Sequence, residues 1–254
     1  FMERTAGILL PITSLPSKYG IGCFSKSAYN FIDWLCEAGQ KYWQILPLGP
    51  TSYGDSPYQS FSTFAGNPYF ISLEDFIAKG LLTEKECEAA DFGNKEDDIN
   101  YEKIYKNRYP LLYQAYQRSK IEENIEYQEF VEKNAWWLSD YALFMAVKNK
   151  FHGIAWNEWP EDIRLRDKLV MGTYEKELHS EIAFQKFMQF EFLKQWNALK
   201  TYANQRGISL IGDIPIYVAM DSADTWANPK LFQLDENNIP LAVAGCPPDG
   251  FSAK

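Results

Sequence analysis

Hydrophobic and polar positions change period several times along the chain, and each change marks an element. Thr5 to Ile12 is a short apolar run closed by Pro11 and the polar Thr13-Ser14 pair, which predicts a first strand. After a turn-rich stretch through Gly20 and Gly22, Ala28, Phe31, Ile32 and Leu35 recur at helical spacing. Ser25 stands at the N-cap position and Gly39 where the helix should stop. Tyr42 to Leu48 is dense in aromatic and branched residues and ends at Pro47 and Gly49-Pro50, so it predicts a second, buried strand. Strand, helix, strand over this length is the βαβ unit of a parallel sheet.

The rhythm then changes. Thr51 to Pro68 is rich in Ser, Gly, Pro, Tyr and Phe, and a loop of that length is usually functional when its aromatics argue against disorder. Leu73, Phe76 and Ile77 begin a helical region, and the polar stretch Glu84 to Asn100 reads as an insertion outside the sheet. Helical periodicity returns from Glu102 to Arg118, with an interruption expected at Pro110, and again from Tyr127 to Lys150. The longest pattern runs from about Glu177 to Gln205 and is closed by Gly207. Ile208 to Asp213 then predicts a third buried strand. Its last residue is an acid, and in a parallel α/β barrel the carboxyl ends of strands face the active site. Asp also commonly caps a turn or accepts from nearby amides, so pattern alone leaves Asp213 open between the two roles.

Composition narrows the functional classes. With 254 residues, 46% of them hydrophobic and 23% charged, the chain can bury a sizeable core. A net charge of -9 offers no basic footprint for nucleic acid or an anionic membrane surface. No segment is long and apolar enough to cross a bilayer, and Ile8-Leu9-Leu10, cut by Pro11, is too short for a secretion signal, so a cytoplasmic setting is expected. Cys23, Cys36, Cys87 and Cys246 form no CxxC pair, and with only His152 and His179 besides, neither a metal nor another cofactor is implied. Aromatics make up 16%, a composition suited to stacking sugar rings as well as to filling a core.

Three long stretches now act together: Arg4-Thr-Ala-Gly-Ile-Leu-Leu-Pro-Ile-Thr-Ser-Leu-Pro, Trp43-Gln-Ile-Leu-Pro-Leu-Gly-Pro-Thr-Ser-Tyr-Gly-Asp-Ser-Pro-Tyr-Gln-Ser and Gly212-Asp-Ile-Pro-Ile-Tyr-Val-Ala-Met-Asp-Ser-Ala-Asp-Thr-Trp-Ala-Asn-Pro. In content, order and separation they resemble the 4-alpha-glucanotransferases of glycoside hydrolase family 77. The segment Ala244 to Ser252 is similar to the start of that family's active-site lid. The resemblance implies an α/β fold, a partial TIM (β/α)8 barrel comprising the first three strands with an inserted helical subdomain. Residues 2–50 would be the first βαβ of the barrel, 51–175 mainly loop and helical insertions, and 176–254 the long helix, third strand and start of the lid.

It further implies transfer of an alpha-1,4-glucan segment to the 4-hydroxyl of an acceptor sugar, with maltooligosaccharides as partners and a covalent glycosyl-enzyme formed on one carboxylate. By motif, Asp213 matches the acid at the end of the third strand, and Tyr58 a tyrosine beside the donor ring, with Ser56 its neighbour. Tyr53 and Tyr101 resemble a pair lining a secondary glucan groove, and Asp249 falls in the lid. The family's Arg-x-Asp-His, Ala-Glu-Asp-Leu-Gly and His-Asp motifs, which carry the nucleophile, the acid/base and a third acid, do not occur: His152 precedes Gly153, His179 precedes Ser180, and Arg164-Leu-Arg-Asp167 is followed by Lys168. The chain alone is therefore expected to be inactive. A non-catalytic glucan-binding fragment and an alpha-amylase-type hydrolase are the other readings, and oligomeric state is not legible.

Overall fold

The computed structural model describes residues 4–52, 54–93, 98–242 and 245. In chain order its elements are β1 (Gly7–Leu9), α1 (Lys26–Glu37), β2 (Tyr42–Gln44), α2 (Leu73–Ala78), α3 (Glu84–Ala89), α4 (Tyr101–Ser119), α5 (Ile125–Lys150), α6 (Glu161–Arg164), α7 (Lys168–Glu177), α8 (His179–Gln205), β3 (Ser209–Ile211) and α9 (Ala223–Ala227). The three strands form one parallel sheet in the order β1-β2-β3, so the fold is α/β with a small sheet and many helices.

Side chains alternate across a strand, and here the alternation decides which face is covered. Ile8, Trp43 and Leu210 lie side by side in the register and turn toward the helices, with Trp43 fully buried. Its indole N–H donates to the Leu10 carbonyl at 2.8 Å and its ring meets Phe31 of α1 edge-on. On the opposite face the row Leu9, Gln44 and Ile211 is exposed, Leu9 at 55%. The second and third strands are thus buried on one face only, against the expectation of fully buried strands. Nothing among the described residues covers the other side of the sheet.

The helices follow the apolar periodicity and its punctuation with three departures. Ser25 does precede α1, in extended backbone, but its hydroxyl makes no capping bond to the helix. Gly39 ends that helix at φ +68°, where a side chain would be strained. Helix α4 runs unbroken through Pro110, because the ring lies on the exposed face while Ile104, Arg108, Leu111, Leu112 and Ala115 anchor both sides in the core. The missing amide leaves only a carbonyl on the solvent side unpaired within the helix, which water can satisfy. Finally, the pattern from Glu177 does not begin one helix there: α7 ends at Glu177, Leu178 breaks it, and α8 starts at His179.

Helices α5 and α8 pack along each other as the backbone of the helical layer, with Tyr127 and Phe130 of α5 against Phe190 of α8. One polar row of α8 is buried in this layer. Gln189, 2% exposed, accepts from the Gly66 amide at 2.7 Å and donates to the Gly66 carbonyl at 2.9 Å. Gln195 accepts from the Ser72 amide at 2.7 Å and donates to Asp75 at 3.1 Å. These side chains give the 51–72 segment the backbone partners that a sheet would otherwise supply. A Cβ on Gly66 would stand 2.2 Å from the Phe192 ring, so only glycine permits this approach.

Candidate functional site at the carboxyl end of the sheet

Residues 50–52 and 54–61 pair as a short antiparallel hairpin. Thr51 bridges Ser60, the Ser52 amide donates to the Gln59 carbonyl at 3.1 Å, and Phe61 N donates to Pro50 O. At the tip, Gly54 and Asp55 take left-handed backbone, φ +82° and +54°. Beyond the hairpin, Ser60 and Ser62 bond the loop to itself, while Ala223 N donates to Phe61 O and the Thr63 amide donates to Asp224. The loop is thereby tied both to α8 and to the segment that follows β3.

That segment is itself held from the helical side. The buried indoles of Trp156 and Trp226 donate to Met220 O and Ile163 O. The Lys148 ammonium, 4% exposed as a residue, meets Asp221 at 2.6 Å and the Ile154 carbonyl at 3.1 Å. With both strand end and hairpin fixed, Asp213, two residues beyond β3, reaches Tyr58 from the far side of the chain. The Tyr58 hydroxyl donates to Asp213 Oδ2 at 2.7 Å, and Asp213 Oδ1 accepts its own neighbour's amide, Ile214 N, at 2.8 Å. One oxygen of Asp213 thus accepts a neighbouring amide, as a turn carboxylate does, while the other bonds a side chain from a distant part of the sequence. The bond to Asp213, followed by burial and the negative charge of that carboxylate, raises the Tyr58 phenol above its ordinary value. Tyr58 keeps its proton at neutral pH and acts as the donor.

Ser56 joins this arrangement through its hydroxyl, which accepts from the Tyr58 amide at 3.3 Å and shapes the turn. Tyr101 lies elsewhere. It is half-buried at the start of α4, its ring 6.4 Å from that of Tyr69. Its phenol is raised by burial first and by the Asp55 carboxyl second, and Tyr69 responds to the same carboxyl. The hairpin thus acts at two places: Tyr58 bonds Asp213, and the charge of Asp55, its own carboxyl pushed up by burial, reaches the phenols of Tyr69 and Tyr101. Tyr53 and Asp249 lie outside the described residues.

Asp213 lines a cleft of about 340 Å³ whose walls are Leu48, Gly66, Trp196 and the 214–219 segment. A larger cavity of about 930 Å³ lies between the hairpin base and α4, α5 and α8, walled by Tyr69, Tyr109, Phe184, Lys148 and Glu181. None of the described site candidates, Ser56, Tyr58, Tyr101 and Asp213, lines it. A third groove of about 340 Å³ shares Ser62, Thr63, Phe64 and Val218 with the Asp213 cleft and continues to Trp136 on α5. Periodicity gave no sign of it, because Trp136 is an off-pattern residue beside the core-facing Trp137. Among the described residues, no group of three or more His, Cys, Asp or Glu could hold a metal ion, and no helix is long and apolar enough to cross a membrane.

Comparison with known proteins gives this geometry a context. Residues 10–254 match the family model described as Glyco_hydro_77, 4-alpha-glucanotransferase. The chain is 52% identical over 242 residues to a 4-alpha-glucanotransferase of Clostridium butyricum, covering 95% of this chain and 50% of that relative. It is 38% identical to the chloroplastic/amyloplastic 4-alpha-glucanotransferase of Solanum tuberosum, over 98% of this chain and 44% of that protein. In structure it superposes with a TM-score of 0.95 on the amylomaltase of Streptococcus agalactiae solved in complex with acarbose, at 41% identity, covering 98% of this chain and 51% of that one. The chain spans about half the length of the curated relatives it matches.

Proposed function

The chain belongs to glycoside hydrolase family 77, the 4-alpha-glucanotransferases, and from that premise we propose that it forms the donor-side wall of a glucan-transferring active site. The observation that carries this reading is the Tyr58–Asp213 hydrogen bond of 2.7 Å, which joins a hairpin to the carboxyl end of a parallel strand at the mouth of a cleft. The carboxyl ends of parallel strands are where α/β barrels place their chemistry. The three parallel strands and their exposed Leu9–Gln44–Ile211 row support a partial (β/α)8 barrel whose interior face is the bare side of the sheet.

In this reading Asp213 accepts from hydroxyls of the sugar beside the cleaved bond, and Tyr58, a proton donor, orients Asp213 and lies along the same ring. Maltooligosaccharides or longer alpha-1,4-glucans are donors and acceptors, in a cytoplasmic setting. A retaining transfer needs a carboxylate nucleophile and a second carboxyl group as acid and then base, about 5–5.5 Å apart. The family motifs carrying those groups do not occur in the 254 residues, so the reading places them in polypeptide beyond this chain. Tyr53, Asp249 and Tyr101, the last beside Tyr69, would contact glucan away from the scissile bond.

The test is disproportionation of maltotriose. The full-length protein carrying this chain should give glucose plus longer dextrins, and the 254-residue chain alone should give neither. Release of glucose without longer products would replace transferase by hydrolase. Sustained turnover by the chain alone would overturn the placement of the nucleophile.

A further inference from the structure

The groove that runs from the Asp213 cleft to α5 ends at an exposed aromatic corner. Trp136 is 66% exposed and Phe64 51%, and their rings meet edge-on with centroids 4.7 Å apart. Two large aromatic side chains held this far into solvent gain little from burial, so folding alone does not account for their position. They are held firmly all the same. The Ser62 hydroxyl accepts from the Phe64 amide at 3.1 Å, and Phe64 also packs near Trp137, whose indole N–H donates to Asn134 at 3.1 Å. The Trp136 indole N–H has no hydrogen-bond partner among the described residues.

Polar groups surround the corner. Asp140 stands one turn beyond Trp136 on α5, and Asn228 ends α9 on the opposite wall, both lining the groove. An exposed aromatic ring face in such a corner, edged by an indole donor, a carboxyl that Arg166 pairs through one oxygen at 2.5 Å and an amide, is complementary to a pyranose ring. The ring offers a face of C–H groups and a rim of hydroxyls that both donate and accept. A peptide or a second protein would not account for the groove's continuity with the Asp213 cleft through Ser62, Thr63, Phe64 and Val218.

We infer that Trp136 and Phe64 form a remote sugar subsite, a shelf that holds a glucose unit of an alpha-1,4-glucan already engaged at Asp213. The inference rests on the glucan-transferase reading and deepens it: the shelf selects for chain length. A short oligosaccharide filling the cleft does not reach it, whereas a long one gains a stacking contact and rim hydrogen bonds.

The experiment compares maltotriose and maltoheptaose as donors for the full-length protein carrying Trp136→Ala or Trp136→Phe. Losing one aromatic stacking partner should raise KM for maltoheptaose roughly three- to tenfold with kcat kept. Maltotriose kinetics should not change, and Trp136→Phe should restore most of the affinity. Calorimetric titration with maltoheptaose needs no turnover and separates the two ideas. A wild-type protein that binds but does not transfer sinks the transferase reading alone. Equal maltoheptaose affinity in wild type and Trp136→Ala sinks the shelf, as does an equal loss on both donors. Trp136 is exposed, so its replacement leaves the core intact, and matching thermal transitions of the two variants check it.

Discussion

Replacing Gln189 by Leu isolates what holds the Tyr58 hairpin in place. Leucine fills similar space and keeps the helix, but removes both bonds to Gly66, at 2.7 Å and 2.9 Å, in a position 2% exposed. The Gly66 N–H and C=O then stay buried without partners. Each such group costs about 1–3 kcal/mol, so the substitution should destabilise by about 2–6 kcal/mol. For a unit of this size each kcal/mol lowers the melting temperature by about 2–4 °C. A drop of at least about 4 °C is expected in calorimetry of the full-length protein. The control is Gln128→Leu, an exposed residue whose one bond is to the Glu122 carbonyl at 2.8 Å, which should fall within about 0.5 kcal/mol of wild type. Because the loop also carries Tyr58, kcat should fall with Gln189→Leu well below the melting temperature. A shift under about 2 °C with activity intact would refute the idea that α8 glutamines, rather than the hairpin's own bonds, fix the loop.

Other consequences can be checked separately. Gly66→Ala puts a Cβ into the Phe192 ring and should destabilise by about 1–3 kcal/mol, read by urea denaturation, although no hydrogen bond is deleted. Asp213→Asn in the full-length protein should lower kcat about 100-fold with little change in melting temperature, and wild-type kcat would remove Asp213 from the site. Glu86 is held down to about 2, first by its bidentate bond to Arg118 (2.8 Å and 3.0 Å) and then by the Thr83 amide and hydroxyl that complete the α3 capping box. Its folded pKa lies below the unfolded one, so the stability it lends is present above the ordinary carboxylate range and is lost as pH falls toward 2. Arg118→Leu should return the Glu86 titration, followed by NMR, toward the ordinary range of about 4.3. Lys148→Met should lower the melting temperature by several degrees, because it leaves the Ile154 carbonyl and Asp221 without their shared cation, and an unchanged transition would refute that role.

Local pattern was a good guide wherever a period repeats. The apolar rows of α1, α5 and α8 and the punctuation at Gly39 and Gly207 follow from spacing and φ preference. It misled where tertiary packing overrides a local rule, as at Pro110, and where two helices meet at Leu178 with no glycine or proline to mark the break. The one-sided burial of the strands is not legible in the sequence, because Leu9 and Ile211 are as apolar as residues of a covered sheet. Asp213 and Tyr58 could be named by resemblance, but their contact joins residues 155 apart and no periodicity encodes it. The buried glutamines of α8 are invisible for the same reason: a polar residue reads as solvent-facing unless its distant backbone partner is known.

The pairing of β2 with β3 has a kinetic consequence. Gln44 and Ser209 lie about 165 residues apart, yet their strands are adjacent. In equilibrium terms the long excursion costs little, about 2 kcal/mol more than a minimal crossover of a dozen residues. In time it costs more, since the last strand cannot find its place until the intervening helices have drawn the chain ends together. Helix α8, which docks on α5 and runs directly into β3, is the element positioned to do that. The β2–β3 pairing then follows the docking of α8, whereas β1 and β2 can pair across α1 without it, and the Tyr58–Asp213 contact depends on the later step.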